Sequence, residues 1–226
     1  HARAANGVHD DLWARAMVID DGTTRKALVV LDAIGFLHDD VIAVRRLIPA
    51  SAEIDYAIIA STHVHEGPDL MGLWGQSDLE SGVNQKYLAS VREQAAQAIM
   101  QAARNLRPAK LKLAQDLEGA AELVNDSRPP RVFDHGLRVL QALDAEADTT
   151  LGVLLAWADH PETLWSQNLL ISSDFPHYAR EGVEKGVFVN DTLRAPGLGG
   201  VAIYMNGAIG GLMTTNEGFP IRALAS

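Results

Sequence analysis

The chain has 226 residues, 47% of them apolar and 21% charged, ordinary material for a globular protein with a sizeable core. Its 19 Lys and Arg stand against 29 Asp and Glu, a net charge of −10, and no basic run gathers enough positive charge to hold a phosphate backbone, so nucleic acid is not an expected partner. With no Cys, thiolate metal sites, Cys nucleophiles and disulfides are excluded, and any metal must be held by His, carboxylate or Tyr.

The chain opens at His1 without an initiator Met or the apolar run of a signal peptide, and is expected to begin in mid-protein or after processing. Leu12 to Asp20 alternates apolar and polar residues and ends at Asp20-Asp21-Gly22, after which Lys26 to Asp32 runs through Ala, Leu and Val. Two strands joined by a turn are predicted. Val41, Ile42, Val44 and Ile48 recur at roughly helical spacing between Asp39, a candidate cap, and Pro49, which predicts a short helix. A buried strand is expected over Tyr56 to Ser61. The spacing of Leu88, Val91, Ala95, Ile99, Ala102 and Leu106 predicts a long amphipathic helix from about Asn84 to Leu106, lying on a sheet.

Further strands are expected over Lys110 to Gln115, Leu137 to Leu143, Leu151 to Ala158 and Val201 to Met205. Phe175 to Lys185 reads as a helix with Asp174 as cap and Pro176 in its first turn. Asn125 to Pro130 and Ala195 to Gly200 read as loops. The most apolar stretches, such as Ala27 to Val30 and Gly152 to Ala158, have strand length, and none approaches the roughly 18 residues of a membrane-spanning helix. The expected fold is α/β in mixed (α+β) form: one sheet-centred domain, covered by helices, with the functional residues at strand ends.

Two segments carry the chemistry. Ser61-Thr62-His63-Val64-His65-Glu66-Gly67-Pro68-Asp69 sets two imidazoles two residues apart directly after an apolar strand, and on a continuing strand both rings would point to one face. Neutral imidazoles suit zinc and similar metals, although a pair of His can also merely decorate a loop. Trp157-Ala158-Asp159-His160-Pro161-Glu162-Thr163 again follows an apolar strand, so His160 can reach the same pocket or serve as a structural His.

Ile58 to Pro68 resembles the Thr-His-Thr-His-Ser-Gly-Pro stretch of the neutral/alkaline, non-lysosomal ceramidases, with Val64 and Glu66 in place of Thr and Ser. Gly7 to Ala16, Leu31 to Gly35, Asn125 to Pro130, Ala158 to Thr163 and Ser172 to Pro176 agree with that family in the same order, and the whole chain, 1–226, is similar to part of one ceramidase-like catalytic domain. The resemblance implies a zinc-dependent hydrolase of an N-acyl sphingoid or related lipid amide, with one Zn2+ per chain. His63 and His160 would be its metal ligands, and His65 would stand beside the metal as base. It also implies a Glu and a Tyr further along that complete the coordination. Neither has a counterpart before Ser226, so the chain is expected to stop short of them. A secreted or periplasmic location follows by the same resemblance.

Arg128 resembles the Arg of the family's Asn-Arg-Ser loop displaced by two positions, and would orient a substrate oxygen or stabilise an oxyanion, or else simply meet solvent. Asn206 and Gly207 match the start of the family's Asn-x-Gly-Asp-Val-Ser-Pro segment, which places Asn206 among the catalytic residues and Gly207 in substrate binding. The Asp is replaced by Ile209 and the Ser by Gly211, and neither Thr214 nor Thr215 has a dedicated base. The amides of this Gly-rich loop would face an oxyanion. Trp74, taken as substrate-binding, could line an acyl pocket with Trp165 and Phe175, although large aromatics near strand ends are more often core; Ser172, Ser173 and Asp174 are explained by helix capping. The alternatives are an esterase or lactonase, a two-metal hydrolase that recruits Asp69, and a non-catalytic relative.

Overall fold

The structure is a computed structural model and describes residues 4–77 and 79–214. Its elements in chain order are β1 (Gly7–Val8), β2 (Ala14–Asp20), β3 (Arg25–Leu31), α1 (His38–Leu47), β4 (Tyr56–Ser61), α2 (Gln85–Arg104), β5 (Ala109–Asp116), β6 (Val124–Asp126) and β7 (Leu137–Asp144). They continue with β8 (Thr150–Trp157), β9 (Leu170–Ile171), α3 (Phe175–Lys185), β10 (Gly186–Val189), β11 (Thr192–Pro196), β12 (Val201–Asn206) and β13 (Leu212–Thr214). The fold is mixed α/β, as expected. The described residues group into two compact units, the first within 4–107 with Asn168–Ser173 and the second Pro108–Gln167 with 174–214.

In the first unit β2 and β3 form a hairpin in the register Ala14↔Leu31 to Asp20↔Arg25. Its turn is built by carboxylates: Asp20 accepts from Gly22 N at 2.8 Å, Asp21 accepts from Thr23 N and Thr24 N, and Gly22 takes the positive φ the reversal needs. From β3 the chain crosses through α1 to β4, which pairs parallel with β3. Asn84 caps α2 by accepting from Lys86 N and Tyr87 N. The buried face of α2, with Leu88, Ala95 and Ile99, packs on the same core as Ala27, Val29 and Leu31 of β3 and Val44 of α1. The short β1 pairs parallel with β9, Gly7 opposite Leu170.

Two expectations are corrected here. Asp39 does not cap α1: the capping position is Leu37, without a side-chain bond, and it is Asp40 that is buried and accepts from Arg92 Nε of α2 at 2.9 Å. The strand over Tyr56–Ser61 is an edge strand, bordered among the described residues by β3 alone, with Tyr56 and Ile58 exposed.

In the second unit β5, β7 and β8 form an antiparallel meander and β12 adds parallel to β8, in the order β12-β8-β7-β5. The crossover from β8 to β12 contains α3, which Asp174 caps by accepting from Phe175 N. Phe175 packs edge to face with Trp157 and Tyr204, ring centroids 5.3 Å apart in each case, and is therefore core rather than pocket lining. Asn125 and Asp126, expected in a loop, belong to β6, which pairs antiparallel with β13. Ala195 and Pro196 likewise belong to β11, paired with β10. No described helix is long and apolar enough to cross a membrane.

Candidate metal centre

After β4 the backbone leaves the strand instead of continuing it. Thr62 N and His63 N donate to the carbonyls of Leu31 (2.9 Å) and Ala33 (3.0 Å), and His63 adopts φ +68, a left-handed conformation that a β-carbon disfavours. The two imidazoles are thus brought together by a turn rather than by strand alternation, with ring centroids 4.9 Å apart at 82°. His63 Nδ1 lies 2.6 Å from the Ile34 carbonyl oxygen. A carbonyl can only accept, so the ring proton sits on Nδ1 and Nε2 carries the lone pair.

The second segment is arranged the same way. Beyond β8, the Asn206 carboxamide brackets Asp159: Nδ2 donates to the Asp159 carbonyl at 2.7 Å and Oδ1 accepts from Asp159 N at 3.2 Å. This holds the end of β8 to the end of β12 one residue before His160. The His160 backbone N and Nδ1 both donate to the Leu212 carbonyl, at 3.1 and 2.6 Å, which again places the ring proton on Nδ1. Burial, with the Asp174 and Glu162 carboxylates nearby, pushes the Asp159 carboxyl up to about 8 against the lowering bond from His160 N.

Within the first unit His63 and His65 bring two imidazoles together, and both belong to a set of His side chains that could hold a metal ion. A set of imidazole nitrogens, two of them aimed by backbone carbonyls, fits zinc and related divalent ions. Asp69 is not in the group. Its carboxylate accepts from Met71 N, Gly72 N and Trp74 N, and although burial raises its pKa, these amide bonds outweigh that and hold it below the usual range.

The other sequence-predicted residues are placed as follows. Trp74 is exposed in that same loop. Gly207 N donates to Trp157 O, Ile209 N to Gly207 O and Leu212 N to Ile209 O, so these three amides of the Gly-rich loop serve its own fold instead of facing a substrate. Arg128 lines a cavity of about 490 Å³ together with Phe133, Ile209, Gly210, Gly211 and Leu212. Thr214 lies on β13, whereas Thr215 falls outside the described residues.

Ser172 and Ser173 do not cap α3, as Asp174 does. Both hydroxyls donate to the buried carboxylate of Asp10, at 2.5 and 2.7 Å, and Ser173 N adds a third bond at 2.8 Å. Asp10 and the carbonyls of Ile34 and Leu212 are the supporting groups that sequence reasoning missed. Asp10 lay within a matching stretch, but a backbone carbonyl has no side-chain signature.

No protein-family model matches the chain. Its sequence is 25% identical to the neutral ceramidase of Pseudomonas aeruginosa over 195 residues, covering 76% of this chain and 28% of that protein. The crystal structure of the same enzyme superposes with a TM-score of 0.76 at 22% identity, over 95% of this chain and 36% of the other. The chain has the neutral ceramidase fold. A ceramidase complexed with C2 gives a TM-score of 0.71 at 23% identity, over 92% of this chain and 34% of that one. The chain thus spans about a third of the length of these ceramidases.

Proposed function

We propose that this chain forms the metal-binding part of a hydrolase that cleaves linear lipid amides with water, as its likeness to neutral ceramidase supports. The observation that carries the reading is the close His63 and His65 pair of the first unit, with His63 fixed as its Nδ1–H form by the Ile34 carbonyl just as the Leu212 carbonyl fixes His160 within the second. His63 and His160 would hold the ion, each through Nε2, because the Ile34 and Leu212 carbonyls fix the Nδ1–H tautomer. A zinc ion bound there supplies Lewis acidity, polarising the amide carbonyl and lowering the pKa of water towards about 7.

His65 works on the proton. Its imidazole takes one from the attacking water as the new C–O bond forms and returns it to the departing nitrogen as the C–N bond breaks, giving a carboxylic acid and an amine. One ion per chain is the favoured stoichiometry, since the Asp69 carboxylate that a second metal would need is engaged by its own loop.

The test is zinc content and hydrolysis of N-acyl sphingosines and N-acyl ethanolamines by the full-length protein, with and without chelator. His63→Ala should abolish zinc uptake and turnover together. His65→Ala should retain zinc and lose most of the turnover. A metal-loaded protein that hydrolyses neither these amides nor simple esters would overturn the hydrolase reading.

A further inference from the structure

The cavity beside the Gly-rich turn has chemistry that a neutral lipid amide does not use. An ideal β-carbon on Gly211 would lie 2.3 Å from Arg128 Nε and 3.0 Å from Cζ, and one on Gly210 would lie 3.0 Å from Nη2. The guanidinium therefore rests directly on the backbone of the turn, in space that any larger residue at position 211 would claim. Two carboxylates line the same cavity, and the Arg128 charge helps to lower the Asp126 pKa, but neither is hydrogen-bonded to the guanidinium. Asp126 accepts from Arg128 N at 3.0 Å and Val132 N at 2.8 Å, and Asp134 from the Arg138 guanidinium at 3.1 Å. Among the described residues no acceptor hydrogen-bonds the guanidinium of Arg128, which lines the cavity.

Phe133, Val132 and Ile209 give the same cavity an apolar wall, and its volume of about 490 Å³ is in the range of small-molecule sites. Leu212, which also lines it, is the residue whose carbonyl orients His160, so cavity and metal ligand share one backbone segment.

We propose that this cavity is a carboxylate-binding subsite, and that the preferred amide is an N-acyl amino acid, whose carboxylate pairs with Arg128 while its side chain meets the apolar wall. A guanidinium pairs with a carboxylate through two parallel N–H···O bonds, and an organic acid fills the apolar part of the cavity, which inorganic phosphate would leave empty. The assignment rests on the hydrolase reading above and narrows it to an anionic substrate class.

The experiment is calorimetric binding of N-dodecanoyl-phenylalanine and of its neutral carboxamide to the full-length protein and to Arg128→Gln, with zinc content measured alongside. The acid should bind the wild type about tenfold or more tightly than the carboxamide, and Arg128→Gln should erase that difference while keeping its zinc. Gly211→Ser, which displaces the guanidinium, should weaken the acid in the same direction. Equal binding of acid and carboxamide by the wild type, or an equal loss of both in Arg128→Gln, would overturn the subsite. Arg128-dependent binding of the acid in a protein that hydrolyses no amide would overturn the hydrolase reading alone and leave the subsite standing.

Discussion

A β-carbon at Gly211 would stand 2.3 Å from Nε of Arg128 and 2.5 Å from Oδ1 of Asp126, so glycine at this position and arginine at the other are mutually adjusted. Gly211→Ser should destabilise the fold by about 1–3 kcal/mol through overpacking. In an Arg128→Ala background the cost should shrink without vanishing, because Asp126 remains tied to two backbone amides. Denaturant unfolding of the four proteins in this cycle measures the coupling, and strictly additive effects would contradict the contact.

His63 holds a left-handed backbone that costs a residue with a β-carbon about 1 kcal/mol or more, and strain of this kind collects at functional positions. With metal removed by chelator, His63→Gly should be more stable than His63→Ala by about 1 kcal/mol, while neither binds zinc. Equal stabilities would mean that the turn at Thr62-His63 relaxes on substitution.

Zinc at a hundred times its Kd should add about 2.7 kcal/mol to wild-type stability if, as proposed, it binds the folded chain and not the unfolded one. The gain should be absent in His63→Ala and in His160→Ala. A thermal shift with and without zinc reads it directly, and an undiminished shift in either variant would remove that residue from the ligand set.

Asp10 gives a pH dependence with a definite sign. Burial raises its pKa, but the bonds from Ser172, Ser173 and His9 outweigh that and hold the carboxyl below its ordinary value. A folded-state pKa below the unfolded one means stability that is present above about pH 4 and is lost as pH falls through the folded value. Asp10→Asn should cost about 2 kcal/mol at pH 7. The gap to wild type should stay constant from pH 5 to 8 and close below about pH 4. A gap that widened in acid would reverse the assignment.

Regular elements of some length were legible because their signals are local. The apolar stripe of α2, the Asn84 and Asp174 caps and the alternation of β2 all lie within a few residues. The short pairs β1 with β9, β6 with β13 and β10 with β11 were not legible, since two to five residues carry no periodicity and their pairing is set by distant or irregular partners. At the site, the imidazoles were readable as side chains with a known chemistry. The left-handed His63, the carbonyls behind the rings and the engagement of Ser172 and Ser173 by Asp10 depend on where the backbone goes after a strand ends. Residue order alone does not state that.

The pairing of β1 with β9 also bears on synthesis. Asp10 and Ser172 are 162 residues apart, so the amino-terminal segment leaves the ribosome long before the strand and hydroxyls that receive it exist. Until residue 173 has emerged, β1 lacks its partner strand and the Asp10 carboxylate lacks the hydroxyls of Ser172 and Ser173. Any attempt to express His1–Arg107 by itself would produce a piece whose opening strand has no seat.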